Sequence, residues 1–208
     1  MAALTRDRQI LVTLIGICVA VEAVIQFADW GFLEIPRLRQ TAYEYGGFWP
    51  GLLDNWRPNY TGQPILMFVT YGFLHGGLAH LIVNMLTLWS LGAAVLKRVS
   101  VKGFLLLYGG AIIGGAIGYY LLDVGVRPMV GASGALFGLA GGLLAWNYVD
   151  RYTYNQGLWP VAQAVVLLII LNLILWWAMS GQLAWETHLG GFFSGWIFAI
   201  LIDPRPRS

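Results

Sequence analysis

Six apolar stretches, at about 10–27, 65–96, 104–122, 133–148, 160–179 and 185–202, take up most of this chain. A bilayer offers no water to bond the backbone, so a spanning segment must satisfy its own N–H and C=O groups as a helix of about 20 predominantly apolar residues. Composition agrees: 58% of the residues are hydrophobic, 11% are charged, and there are ten tryptophans, well outside the usage of soluble domains. The chain therefore reads as an all-α, polytopic membrane protein, a bundle of six transmembrane helices. Its 208 residues leave room for short loops and no separate soluble domain, so residues 1–208 are expected to form one membrane domain.

Charge sets an orientation. Arg6 and Arg8 precede the first apolar run, but no small-residue cleavage site follows, so that run is expected to be a retained helix and not a signal peptide. With six spans both termini share a side, and Arg6, Arg8, Lys97, Arg98, Lys102, Arg151, Arg205 and Arg207 collect there, leaving Arg37, Arg39, Arg57 and Arg127 opposite. Basic residues favour the cytoplasmic side. The segments 1–9 and 203–208 are thus expected to be cytoplasmic and the long loop 28–64 outer. That loop carries Trp30, Phe32, Tyr43, Tyr45, Phe48, Trp49, Trp56 and Tyr60; rings with one polar edge favour headgroup depth, which predicts a structured, half-immersed loop. The net charge of +2 is too small and too dispersed to suggest a nucleic-acid partner. The single Cys18 can form no intramolecular disulfide.

Two helices begin on reactive side chains. Gly131-Ala132-Ser133-Gly134 opens the fourth span, and His188 lies near the start of the sixth. Helices two, four and six all run inward from the outer face, so the serine and the imidazole sit at similar depth. Gly134, Gly138 and Gly142, and after the histidine Gly191 and Gly195, recur every fourth residue, the spacing that lets helices approach closely. Gly110, Gly114 and Gly118 on the third span read as packing alone. A serine hydroxyl beside an imidazole base is the minimum machinery for nucleophilic catalysis. A second polar cluster, His75, His80 and Asn84, places the last two on one helical face. His80, Asn84 and the backbone N–H of Ser133 could donate to an oxyanion, or His80 and Asn84 could be interhelical glue. No HExxH motif or set of further acidic ligands accompanies the three histidines, so neither a metal nor any other cofactor is expected. Glu22 is the one acid clearly within a span, a thin basis for a proton-coupled transporter.

In this order and on these helices, the His-x-x-x-x-His-x-x-x-Asn pattern at His75, His80 and Asn84, the Gly-x-Ser-Gly at Gly131 to Gly134, and His188 followed by Gly191 and Gly195 resemble the rhomboid intramembrane serine proteases. The resemblance implies a serine endopeptidase with Ser133 as nucleophile and His188 as general base. It implies that His80 and Asn84 stabilise the oxyanion and that His75 supports helix two. It also implies that single-span membrane proteins, lying in membrane lipid, are the substrates, entering laterally between helices two and five. No acidic third member accompanies the pair. Helix five is bulky and free of glycine from Leu167 to Trp177, compatible with a movable gate or with a lipid-facing helix. Leu66-Met67 stands where the family often has Trp-Arg, with Trp56-Arg57 further upstream, so loop one is expected to be anchored differently. Thr187 stands where alanine commonly precedes the histidine, and Phe137 where some members carry a tyrosine stacked on it. An inactive relative that escorts membrane clients and a small-molecule transporter are the rival functions. The minimal six-helix core resembles bacterial members, which makes the bacterial inner membrane the expected site.

Overall fold

The computed structural model describes residues 6–122 and 127–202; the expected cytoplasmic segment 203–208, with Arg205 and Arg207, lies outside them, as do residues 1–5. Among the described residues there are nine α-helices and no strand: α1 Arg6–Asp29, α2 Leu38–Gly46, α3 Gly51–Asp54, α4 Gln63–Thr70, α5 Leu78–Leu96, α6 Val101–Leu122, α7 Ser133–Thr153, α8 Trp159–Ala178 and α9 Trp185–Leu201. The six expected spans correspond to α1, α5, α6, α7, α8 and α9. Of these, α1, α5, α6 and α8 are long and apolar enough to cross a membrane on that criterion alone. Of the other two, α9 is short, at 17 residues, and α7 holds glycines and polar residues that lower its mean hydropathy. They are instead the helices most extensively packed against one another and against α6.

The second expected span is not one helix. Residues 65–96 divide into α4, a 3-10 turn at Tyr71–Phe73, an irregular segment and then α5. The break has a local cause: Gly77 takes φ 105, a conformation that residues with a Cβ rarely adopt. His75 consequently precedes α5 and is not part of it. Pro64 sits in the first turn of α4 and Pro160 in that of α8, where the missing N–H would have had no helical partner.

Glycine sets the helix directions. A Cβ at Gly134 would meet Thr187, at Gly191 the backbone of Gly134, at Gly195 the backbone of Gly138, and at Gly142 both Leu107 and Ala199. The contacts climb α7 and α9 in step, so these helices are parallel. Against α6 the order reverses, with Gly110 under Phe198, Gly114 under Ser194 and Gly118 against Gly190, so α6 is antiparallel to α9. These approaches leave space for hydrogen atoms alone, and backbone-to-backbone packing replaces the interdigitated side chains of an ordinary interface. At the far end the Trp146 indole N–H donates to the Ala199 carbonyl at 2.8 Å, and Arg98 pairs with Asp150 at 2.9 Å.

Loop one is folded. Its chain is tied to itself by Gln63 and Asn59 donating to the Glu44 carbonyl, by the stacked Tyr45 and Tyr60 rings and by the Trp49 indole bonded to Tyr43. Its anchor is Arg39. The guanidinium bonds Glu22 on α1 at 2.8 Å, Asp29 at 2.6 Å and the His75 carbonyl at 3.0 Å, and the Tyr43 hydroxyl donates to the same carbonyl at 2.8 Å. Desolvation pulls the Arg39 pKa down, but the hydrogen bonds to Glu22, Tyr43 and Asp29 outweigh it and the net direction is up. The fully buried Glu22, the one acid clearly within an expected span, is therefore half of an ion pair that its own helix could not reveal. Trp56 packs over Gly51, so the displaced Trp56-Arg57 pair is not the tether.

Candidate active site

Ser133 is the first residue of α7, and the segment before it is held from two sides. Phe48 of loop one and Met129 exchange backbone hydrogen bonds at 2.9 and 3.0 Å, and the Gly131 N–H donates to the Tyr71 carbonyl at 2.9 Å. The Tyr71 ring is wholly buried, and its hydroxyl is bonded to the Ile112 carbonyl of α6 at 2.7 Å. Loop one, the turn before α5 and α6 thus all fix where α7 starts. Gly131 itself takes φ 124, and a Cβ there would lie 2.7 Å from Cε1 and 3.0 Å from Nε2 of His80. No other residue fits both the backbone and the ring.

His188 lies in the first turn of α9 and is 4% exposed. Its Nε2 is 2.9 Å from Ser133 Oγ, a hydrogen-bond distance, the arrangement in which an imidazole could accept the hydroxyl proton. The Phe137 ring, one turn along α7, stacks on the imidazole with centroids 4.1 Å apart and planes 6° from parallel. Thr187, 1% exposed, turns its methyl onto Gly134 and Gly115, which packs α9 close enough for the pair to form. The glycine stripes set the separation, and the parallel register of α7 and α9 sets the depth.

His80 faces Gly131, two residues ahead of the serine. Its Nδ1 accepts the Gly76 N–H at 3.1 Å, which places the ring proton on Nε2, at the edge turned toward Gly131. Asn84 is 3% exposed and donates to the His80 carbonyl at 2.8 Å; its amide carries a second N–H. His75 is wholly buried and meets the His80 ring edge-on at 5.3 Å, while its carbonyl receives Arg39 and Tyr43. The structure therefore joins Ser133, His188, Phe137, Gly134 and Gly191 directly, brings His80 to Gly131, and keeps His75 one layer behind.

One site residue was missed. Asn172 Oδ1 on α8 is 2.6 Å from His188 Nδ1. The signal was an amide midway along an apolar run, nine residues beyond the span's other amide, Gln163, since a polar side chain facing lipid is unfavourable and such a residue commonly seeks a partner.

A family model for the Rhomboid domain matches residues 62–205, which takes in Ser133, His188, Phe137, His80, Asn84, His75 and Asn172 but not Arg39 or Tyr43 of loop one. Over 126 residues the chain is 37% identical to the Rhomboid protease GluP of Bacillus subtilis strain 168, covering 61% of this chain and 24% of the relative. It is 32% identical over 136 residues to RHOMBOID-like protein 5 of Arabidopsis thaliana, covering 65% of this chain and 43% of the relative. The Putative rhomboid protease YdcA of Bacillus subtilis is 26% identical over 153 residues, 70% of this chain and 75% of that one. The chain thus spans less than half the length of the first two.

Proposed function

The chain belongs to the rhomboid family, and from that premise we propose that it is an intramembrane serine endopeptidase that cuts the membrane-spanning segments of single-span proteins. The observation that carries this is the 2.9 Å contact between Ser133 Oγ and His188 Nε2, with the imidazole held flat against Phe137. His188 takes the hydroxyl proton as Oγ attacks the scissile carbonyl carbon, and returns it to the departing amide nitrogen. Water then attacks the acyl-enzyme, again losing a proton to His188, which gives it to Ser133 Oγ as the acyl–oxygen bond breaks and the new carboxyl end leaves. A base so placed contributes about 10²–10⁴ in rate. The oxyanion is received by the Ser133 backbone N–H, by His80 Nε2–H and by the free N–H of Asn84, each such donor contributing about 10²–10³. No cofactor enters this sequence.

A helix hides its own carbonyls, so the scissile bond must lie where a substrate helix unwinds, in a site that also admits water. The orientation inferred from the basic residues puts that site toward the outer face, with loop 28–64 above it and both ends of the single membrane domain in the cytoplasm, in a bacterial inner membrane. The test is cleavage of a single-span reporter in liposomes by the wild type, Ser133→Ala and His188→Ala, each verified as folded, beside labelling by a fluorophosphonate that transfers its phosphorus to an activated serine. Cleavage and labelling by the wild type alone are expected. Equal cleavage by all three proteins, or labelling that persists in Ser133→Ala, would overturn the assignment.

A further inference from the structure

Imidazole is a base at Nε2 only while its proton is on Nδ1, so what faces Nδ1 decides whether His188 can accept the serine proton at all. The group that faces it is neither a carboxylate nor a backbone carbonyl of the same helix. It is the Asn172 side-chain oxygen, 2.6 Å away, on α8. An amide oxygen accepts and cannot donate, so in this arrangement the proton is fixed on Nδ1 and the lone pair of Nε2 is turned to Ser133 Oγ at 2.9 Å. The Phe137 ring restrains tilt of the imidazole by stacking but does not prevent its rotation in plane. The Asn172 bond opposes that rotation. Stack and bond together leave one orientation and one tautomer.

We propose that Asn172 is a positioning residue that completes a Ser133, His188, Asn172 relay, the third member being contributed by α8; this rests on the serine protease reading above. The location of that member matters. Val161 is the one buried residue of α8, and Asn172 lies well along the helix from it. The contact that sets the base therefore depends on a helix held by few side chains, and displacement of α8 at Asn172 uncouples His188 from its orienting partner while leaving Ser133, Phe137 and the α7 and α9 interface in place.

The experiment compares wild type, Ser133→Ala, Asn172→Leu and Asn172→Asp in the same liposomes. It reads the fluorophosphonate labelling rate together with kcat and KM for the reporter. Leucine keeps the shape of asparagine on a helix already rich in leucine; aspartate keeps the accepting oxygen. For Asn172→Leu the labelling rate and kcat are expected to fall by about 10²-fold, at the lower end of what a general base supplies, with KM unchanged. Asn172→Asp should recover most of both. Nitrogen-15 spectra of the wild-type His188 ring supply a readout that needs no variant, and the proton is expected on Nδ1. Labelling of Ser133 at the wild-type rate in folded Asn172→Leu, loss of activity to the same degree in the aspartate and leucine variants, or a ring proton found on Nε2 would each overturn the proposal and leave the protease reading standing. Labelling that survives Ser133→Ala would instead remove the reading on which it rests.

Discussion

The interior layer of α6, α7 and α9 and the peripheral α8 are built on opposite rules. In the first, glycines bring backbones into contact and 44% of the apolar stretch of α6 lies buried; in α8, which is more hydrophobic, 6% does. Hydrophobicity draws a segment into the bilayer but does not pull one helix onto another there, because lipid tails are as apolar as leucine. Close packing therefore falls to the small residues, and a strongly apolar helix can be the least held. The two regions meet at the site. α7 and α9 bring Ser133 and His188 together across a closely packed interface, and α8 reaches in with one amide.

The contrast can be broken most severely from the interior. Gly195→Leu would drive a side chain into the Gly138 backbone, where there is no flexible group to yield, and overpacking of this kind costs about 3 kcal/mol or more. We expect little folded protein in detergent, and thermal unfolding that is shifted or lost; a variant as stable as the wild type would mean that α7 and α9 are not packed backbone to backbone. Next in size is the loop anchor. Arg39→Ala leaves the buried Glu22 carboxyl without the cation that bonds it, a loss of about 3 kcal/mol, and the double variant with Glu22→Gln should regain part of it. Stability unchanged in the single variant would show that the pair is not the tether of loop one. The smallest effect belongs to α8: Leu173→Ala, at a position 60% exposed, should change stability by less than about 0.5 kcal/mol. A large loss there would mean that α8 is held far more firmly than its exposed surface implies.

Much of the candidate site was legible because its logic is local or nearly so. Ser133 and His188 each lie at the start of a helix, and the step of two spans from the fourth to the sixth places both at one depth. The stack of Phe137 on His188 was legible only through the resemblance, since Phe137 stands where some family members carry a stacking tyrosine. The packing role of Gly110, Gly114 and Gly118 is legible from spacing. Hidden from the sequence were the contacts in which a side chain answers to a distant element. Arg39 finds Glu22 and the His75 carbonyl, and Asn172 finds His188, although nothing adjacent to either residue marks its partner. The interruption at residues 71–77 was obscured for a different reason, since an unbroken apolar run looks alike whether its backbone is helical or turned.

By itself the sequence determined that this chain folds as a helical membrane protein, which helices carry the serine and the histidine, and where helices can approach. Those properties follow from hydropathy, residue spacing and the absence of a Cβ, all of which are carried by single residues or short runs. The tertiary structure alone decided that α7 and α9 are in register to 2.9 Å at the Ser133 and His188 pair, that α1 and loop one share a buried ion pair, and that the imidazole gives its second hydrogen bond to α8. Each of these depends on how far helices are rotated about their axes and on how closely they pack, quantities settled when all the faces are fitted together.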